Sequence, residues 1–79
     1  MHSSLTFTAH ARIMMRERLV QEDWIISTVN SPDQTEDRRV DERHYLKTIP
    51  GAGGKILRVI VNPSVSPARV ITVFFDRRV

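Results

Sequence analysis

Cysteine is absent from this chain of 79 residues, so neither a disulfide framework nor a thiolate metal site can form. Aromatic residues make up only 6%, which argues against an RNA-binding surface built on stacked bases. No apolar run approaches the roughly 20 residues that cross a membrane, and the first residues lack the basic and apolar regions of a secretory signal. We therefore expect a cytoplasmic protein with no membrane partner, no cofactor and no metal site.

The length and the apolar content predict one small domain over residues 1–79. Hydrophobic residues are 41% of the chain, enough for a single modest core. A chain this short has little surplus stability, which makes a homodimer or a bound partner a reasonable expectation.

The positive charge is concentrated in the second half of the chain. The net charge is +3, and residues 48–79 carry five basic side chains against Asp76 alone, a balance of +4. Ten of the twelve basic residues are arginines, whose planar forks bind phosphate and carboxylate groups bidentately. The pattern indicates a surface that can attract RNA or an acidic protein, and the alternative is an ordinary solvated surface.

A helical hairpin is predicted over about residues 8–31. Thr8 can accept a hydrogen bond from a helix N-terminal N–H group. Ala11, Met14 and Met15 then recur at helical spacing. A second amphipathic segment begins after Gln21, a poor capping residue, and Pro32 ends it, because the residue before a proline avoids helical geometry.

The remainder, about residues 34–76, is predicted to form a sheet. Residues 55–62 and 69–75 are rich in Val, Ile and Leu and are typical of central strands, whereas residues 34–39 are polar and suit an edge. Residues 5–7 are either an edge strand or an extended lead-in. The expected fold is α+β, with the hairpin on one face of a three- or four-stranded antiparallel sheet.

The order of several short motifs resembles a known family. His10-Ala11-Arg12, Met15, Arg18, Val20 and Asn30-Ser31-Pro32 are followed by a Tyr45 strand, the strand Lys-Ile-Leu-Arg-Val-Ile-Val and a closing Val-Ile-Thr-Val strand. This pattern resembles the bacterial domain-of-unknown-function family 4258 over residues 6–75. That family usually has glycine where Leu19 stands.

The resemblance implies a function as well as a fold. The family is similar to the RelE and BrnT plasmid toxins, which pair a helical hairpin with a small antiparallel sheet. Some of those toxins cleave RNA and are silenced by an antitoxin. The implied protein is a RelE-like toxin, a candidate metal-independent endoribonuclease, with RNA and an acidic antitoxin as partners.

Four residues are candidates for that chemistry. His10 is the best general acid or base, because histidine titrates nearest neutral pH. Arg12, Arg18 and Arg58 are candidates to hold phosphate. The alternatives are structural: a capping or packing role for His10, a solvated surface or pairing with Glu17 or Glu22 for the helical arginines, and an ion pair for Arg58, which interrupts an apolar strand.

A second hypothesis has no catalysis. In that case the protein is an interaction module of the same fold, whose arginines and exposed strand edge bind a protein partner or a second copy of the chain.

Overall fold

The computed structural model of this protein describes residues 5–77. Two helices and five strands follow one another in the order β1, α1, α2, β2, β3, β4, β5, and a short 3₁₀ turn, Pro50–Ala52, separates β3 from β4. The strands are β1 Leu5–Phe7, β2 Gln34–Arg39, β3 Glu42–Ile49, β4 Lys55–Asn62 and β5 Ala68–Asp76, and the helices are α1 Ala9–Glu17 and α2 Glu22–Asn30. No helix within residues 5–77 is long and apolar enough to cross a membrane.

Both helices pack on the same face of a single sheet, which confirms the predicted α+β arrangement. The buried side chains of β4 on that face are Leu57, Val59 and Val61, and they form one cluster with Ala11 of α1 and Ile25 of α2. Alternate residues of a strand point to opposite faces, so the residues between these three lie on a second face that no helix covers.

The sheet is larger than predicted and is not purely antiparallel. Its strand order is β1-β5-β4-β3-β2, with five strands in place of three or four. Residues 5–7 form a strand rather than a lead-in, and they pair in parallel with β5, Leu5 opposite Ala68 and Phe7 opposite Val70. The prediction missed this pairing because a three-residue segment carries too little pattern to identify a partner 63 residues away.

Thr8 fixes the start of α1 and joins the helix to the sheet. Its hydroxyl accepts a hydrogen bond from the Ala11 N–H at 3.0 Å, which confirms the predicted cap. The same hydroxyl donates to the Ile71 carbonyl at 2.9 Å, and the Thr8 N–H donates to the Val70 carbonyl at 3.0 Å. The first turn of α1 is therefore attached to β5. By contrast, Gln21 makes no side-chain cap on α2, as predicted.

The end of α1 is a Schellman motif with an unfavourable residue at its centre. The Val20 N–H donates to the Met15 carbonyl at 2.8 Å, and the Leu19 N–H donates to the Arg16 carbonyl at 3.4 Å. Leu19 consequently has a φ of 56°, in the left-handed region that favours glycine. Its side chain is 81% exposed, so little packing offsets the strain.

Replacing Leu19 by glycine is expected to stabilise the protein. Glycine removes a left-handed penalty of roughly 1–2 kcal/mol but adds flexibility to the unfolded chain, for a net gain of about 1 kcal/mol in the free energy of unfolding. Urea denaturation checks this, with Leu19→Ala as the control, because alanine keeps the Cβ atom and the strain. Equal stabilisation by both variants would contradict the explanation.

Candidate functional site

Arg58 lies in the middle of β4 on the face that carries no helix. It stands between Leu57 and Val59, which point into the core, so its own side chain points the other way. Its neighbours in register are Leu46 on β3 and Phe74 on β5. Arg58 is only 5% exposed, and a buried guanidinium needs compensating charge.

Three neighbouring strands supply that compensation. Arg58 donates through Nε and Nη2 to Oδ2 of Asp76 on β5, at 2.7 and 2.6 Å. Its Nη1 donates to Oε1 of Glu36 on β2 at 3.2 Å and to Nδ1 of His44 on β3 at 2.8 Å. We call Glu36, His44, Arg58 and Asp76 the sheet-face cluster. It connects four adjacent strands through side chains as well as through the backbone.

The position of the His44 proton follows from the chemistry of arginine. A guanidinium only donates hydrogen bonds, so Nδ1 of His44 must be the acceptor and carries no hydrogen. In the neutral ring the proton then lies on Nε2, which donates to Oε2 of Glu42 at 2.8 Å. Both ring nitrogens are occupied, and neither can take up a substrate proton without breaking this arrangement.

The carboxylates around the cluster are stabilised in their charged form. Hydrogen bonds from Arg38 and then from Arg58 lower the pKa of Glu36 below its ordinary value of 4.5. The hydrogen bond from His44 lowers the pKa of Glu42 in the same way. Burial lowers the pKa of Arg58, but its bonds to Asp76 and Glu36 outweigh that effect and raise it overall. The cluster is a compensated set of charges and contains no surplus cation.

The four predicted site residues do not come together. Arg58 points away from the helices, whereas His10, Arg12 and Arg18 belong to α1 and its C-cap on the other side of the sheet. His10 and Arg12 are two residues apart, or about 200° around the helix axis, so they face nearly opposite directions. His10 and Arg18 are separated by about 12 Å along that axis, at a rise of 1.5 Å per residue.

Arg12 has a structural role in this arrangement. Its Nη1 lies 3.2 Å from Oε1 of Glu22 on α2, and its guanidinium carbon lies 4.3 Å from the centre of the Phe7 ring. The pairing with Glu22 is one of the alternatives that the sequence left open. Arg12 therefore links β1, α1 and α2.

Sequence reasoning did not select His44 as the partner of Arg58. Because side chains alternate along a strand, at most one of His44 and Tyr45 can share the Arg58 face. The register decides between them: Tyr45 lies opposite Val59 in the core, and Leu46 lies opposite Arg58, so His44 is on the open face. The sequence had no signal for that register, because neither strand alternates strictly.

The arrangement defines a small α+β protein with two helices on one face of a mixed sheet and a charge cluster on the other. The model of the family described as "Domain of unknown function (DUF4258)" matches residues 7–75, so the chain belongs to that family. The comparisons with curated proteins and with solved structures find no match. Within residues 5–77, no group of three or more His, Cys, Asp or Glu side chains has a geometry that could hold a metal ion.

Replacing Asp76 by asparagine is expected to destabilise the fold. The variant leaves Arg58 with less compensating charge, at a cost of about 2 kcal/mol. This is less than for a fully isolated buried charge, because Glu36 and His44 remain as partners. Chemical denaturation measures the loss. Asp23→Asn, the same substitution at an exposed helix position, is the control, and similar losses in both variants would contradict a role for the cluster.

Acidification is expected to destabilise the protein through Glu36 and Glu42. Their pKa values are lowered in the folded state, so their contribution is fully present above the ordinary value of 4.5 and is lost as the pH falls through the lowered values. Unfolding free energies measured between about pH 7 and about pH 3 should decline less steeply for Glu36→Gln than for the native protein. Glu17→Gln, at an exposed carboxylate without an ion pair among residues 5–77, is the control, and an equal change in both variants would contradict the role of Glu36.

Proposed function

We propose that this protein is a RelE/BrnT-like toxin that cleaves RNA without a metal ion, with His10 as the acid–base group. One observation carries this proposal. Of the two histidines that the structure describes, His44 has both ring nitrogens engaged, whereas His10 is exposed and its ring makes no hydrogen bond or ion pair within residues 5–77. The ring nitrogens of His10 are thus accessible to a ligand.

The reaction needs only one histidine if it acts in two steps. The neutral ring takes the proton of a ribose 2′-hydroxyl, whose oxygen attacks the adjacent phosphorus. The P–O5′ bond then breaks, and the imidazolium returns the proton to the departing oxygen. The products are a 2′,3′-cyclic phosphate and a 5′-hydroxyl. Between the two steps the positive ring also stabilises the additional negative charge on the phosphate.

The arginines have different roles in this proposal. Arg18 makes no ion pair within the described part of the chain and is exposed at the C-cap of α1, so it is available to a phosphate group. Because Arg18 is distant from His10, the phosphate that Arg18 binds is a neighbour of the phosphate that is cleaved at His10. Arg12 and Arg58 are already paired with carboxylates and serve the structure. An acidic antitoxin is the protein partner that the proposal implies.

A binding module without catalysis is the second candidate. It is favoured by the separation of His10 from Arg18 and by the absence, within residues 5–77, of a second histidine free to act beside His10. In that case the same basic surface holds RNA or an acidic protein without cleaving it.

RNA cleavage in the presence of EDTA distinguishes these candidates. We expect the native protein to cut a mixed RNA, and His10→Asn to lose at least about a hundredfold in rate, the usual contribution of a general acid–base group. Mass spectrometry of the fragments should show 2′,3′-cyclic phosphate ends.

The matched control is His44→Asn. The asparagine amide oxygen can still accept a hydrogen bond from Arg58, so the fold should be retained while the imidazole is removed. Circular dichroism confirms folding for both variants. Retained cleavage in His44→Asn supports the role of His10. Loss in His44→Asn alone would overturn it, and no cleavage by folded native protein would favour the binding module.

A further inference from the structure

We infer that the C-terminal end of α1 and the adjoining ends of β4 and β5 form a binding pocket for a phosphate group of single-stranded RNA. Arg18, Lys55 and Arg77 surround this pocket, and we call these three residues the cation triad. The inference rests on the proposed function and deepens it, because it assigns a binding site for the RNA substrate that is separate from the site of cleavage.

The geometry of the pocket brings three cations to one cavity. It has a volume of about 290 Å³ and is lined by Glu17, Arg18, Lys55, Phe75 and Arg77. A second hollow of about 210 Å³ shares Lys55, Phe75 and Arg77 and continues toward Gly54 and Ile56. Glu17 offsets one of the three positive charges in the first cavity, which leaves a balance of +2.

The fold itself places these cations side by side. Ile56 and Asp76 are opposite each other in the antiparallel pair of β4 and β5, so Lys55 and Arg77 are the next positions beyond that pair. Gly53 and Gly54, with φ values of 74° and 81°, form the left-handed turn that leads into Lys55. Like charges at facing positions repel each other, and a bound anion relieves that repulsion.

The triad differs from a second arginine-rich cavity on the surface. A cavity of about 360 Å³ near the turn between β2 and β3 is lined by Arg38, Arg39 and Arg43 among others. There Arg38 is paired with Glu36 and Arg43 with Asp37, so that Arg39 alone of these three arginines has no ion pair within residues 5–77. The triad makes no ion pair within residues 5–77, and the Lys55 Nζ lies 5.4 Å from the centre of the Phe75 ring.

The lining favours a nucleotide over an acidic peptide. Arginine and lysine hold phosphate oxygens by charge-assisted hydrogen bonds, and Phe75 provides an apolar ring surface beside them. Trp24 packs against that ring in an edge-to-face arrangement, with the ring centroids 6.3 Å apart and the ring planes at 63°. A flexible single strand can place a phosphate at the triad and one base beside the half-buried Phe75 ring, a single contact rather than a row of stacked bases. The pocket lies next to Glu17, two helical turns from His10 on the same side of α1.

Fluorescence anisotropy with a short labelled single-stranded RNA tests the inference. All proteins carry His10→Asn, so that binding is measured without cleavage and the result does not depend on the proposed reaction. We expect Arg18→Gln, Lys55→Gln and Arg77→Gln each to raise the Kd roughly fivefold, because each removes one charge-assisted hydrogen bond. The slope of log K against log salt should flatten by about 0.7 for each phosphate that a variant no longer neutralises.

Arg69→Gln is the matched control. Arg69 is an exposed arginine near the start of β5, about 27 Å from Arg77 at 3.4 Å per residue, and its replacement removes the same charge. Its effect on the Kd should stay below about twofold. An equal effect of Arg69→Gln, or none from the triad variants, would overturn the pocket.

Competition identifies the ligand. Inorganic phosphate should displace RNA from the parent protein more effectively than chloride at equal ionic strength, and this difference should vanish in the triad variants. RNA should bind far more tightly than inorganic phosphate alone, which identifies the polymer as the ligand. Equal competition by a polyglutamate peptide would overturn the assignment in favour of an acidic protein.

Discussion

The position of Arg58 imposes the constraint on which the sheet depends. A permanently charged side chain in the central strand of a small sheet must be compensated where it stands, and Asp76, Glu36 and His44 each come from a different neighbouring strand. The cluster is therefore sensitive to register: a shift of one residue in any of these strands would move its partner to the opposite face. The apolar face fixes the packing of the helices, and this polar face specifies how the strands align.

The same charge compensation distinguishes the side chains that stabilise the fold from those that can bind a ligand. A histidine between an arginine and a carboxylate resembles a catalytic arrangement, but the donors of Arg58 fix the tautomer of His44 and occupy its free electron pair. His10 is exposed, and its ring has no partner within residues 5–77. Arg16, Arg39 and Arg69 are also exposed and make no ion pair there, and the cation triad differs from them because its three side chains line one cavity. In a chain with so many arginines, a cavity shared by unpaired cations distinguishes the candidates for function better than charge alone does.

Structural features that depend on neighbouring residues could be predicted from the sequence. Features that depend on pairing between distant strands could not. The Thr8 cap, the end of the hairpin before Pro32 and the need of Arg58 for a ligand or a counter-ion all follow from neighbouring residues or from one strand. The left-handed φ of 56° at Leu19 was not predicted, because leucine rarely adopts that conformation. The parallel pairing of β1 and the choice of His44 over Tyr45 depend on register between distant strands. The distance of His10 from Arg58 depends on which face the helices cover, and no motif in the chain encodes that choice.

The attachment of α1 to β5 has a consequence for the order of folding. Thr8 finds its hydrogen-bond acceptors at Val70 and Ile71, the latter 63 residues further along the chain. Until β5 joins the sheet, α1 and the first strand lack their permanent neighbours, and Arg58 lacks Asp76. The domain thus anchors α1 and completes its central charge compensation in one long-range step, and pairing between such distant segments slows folding.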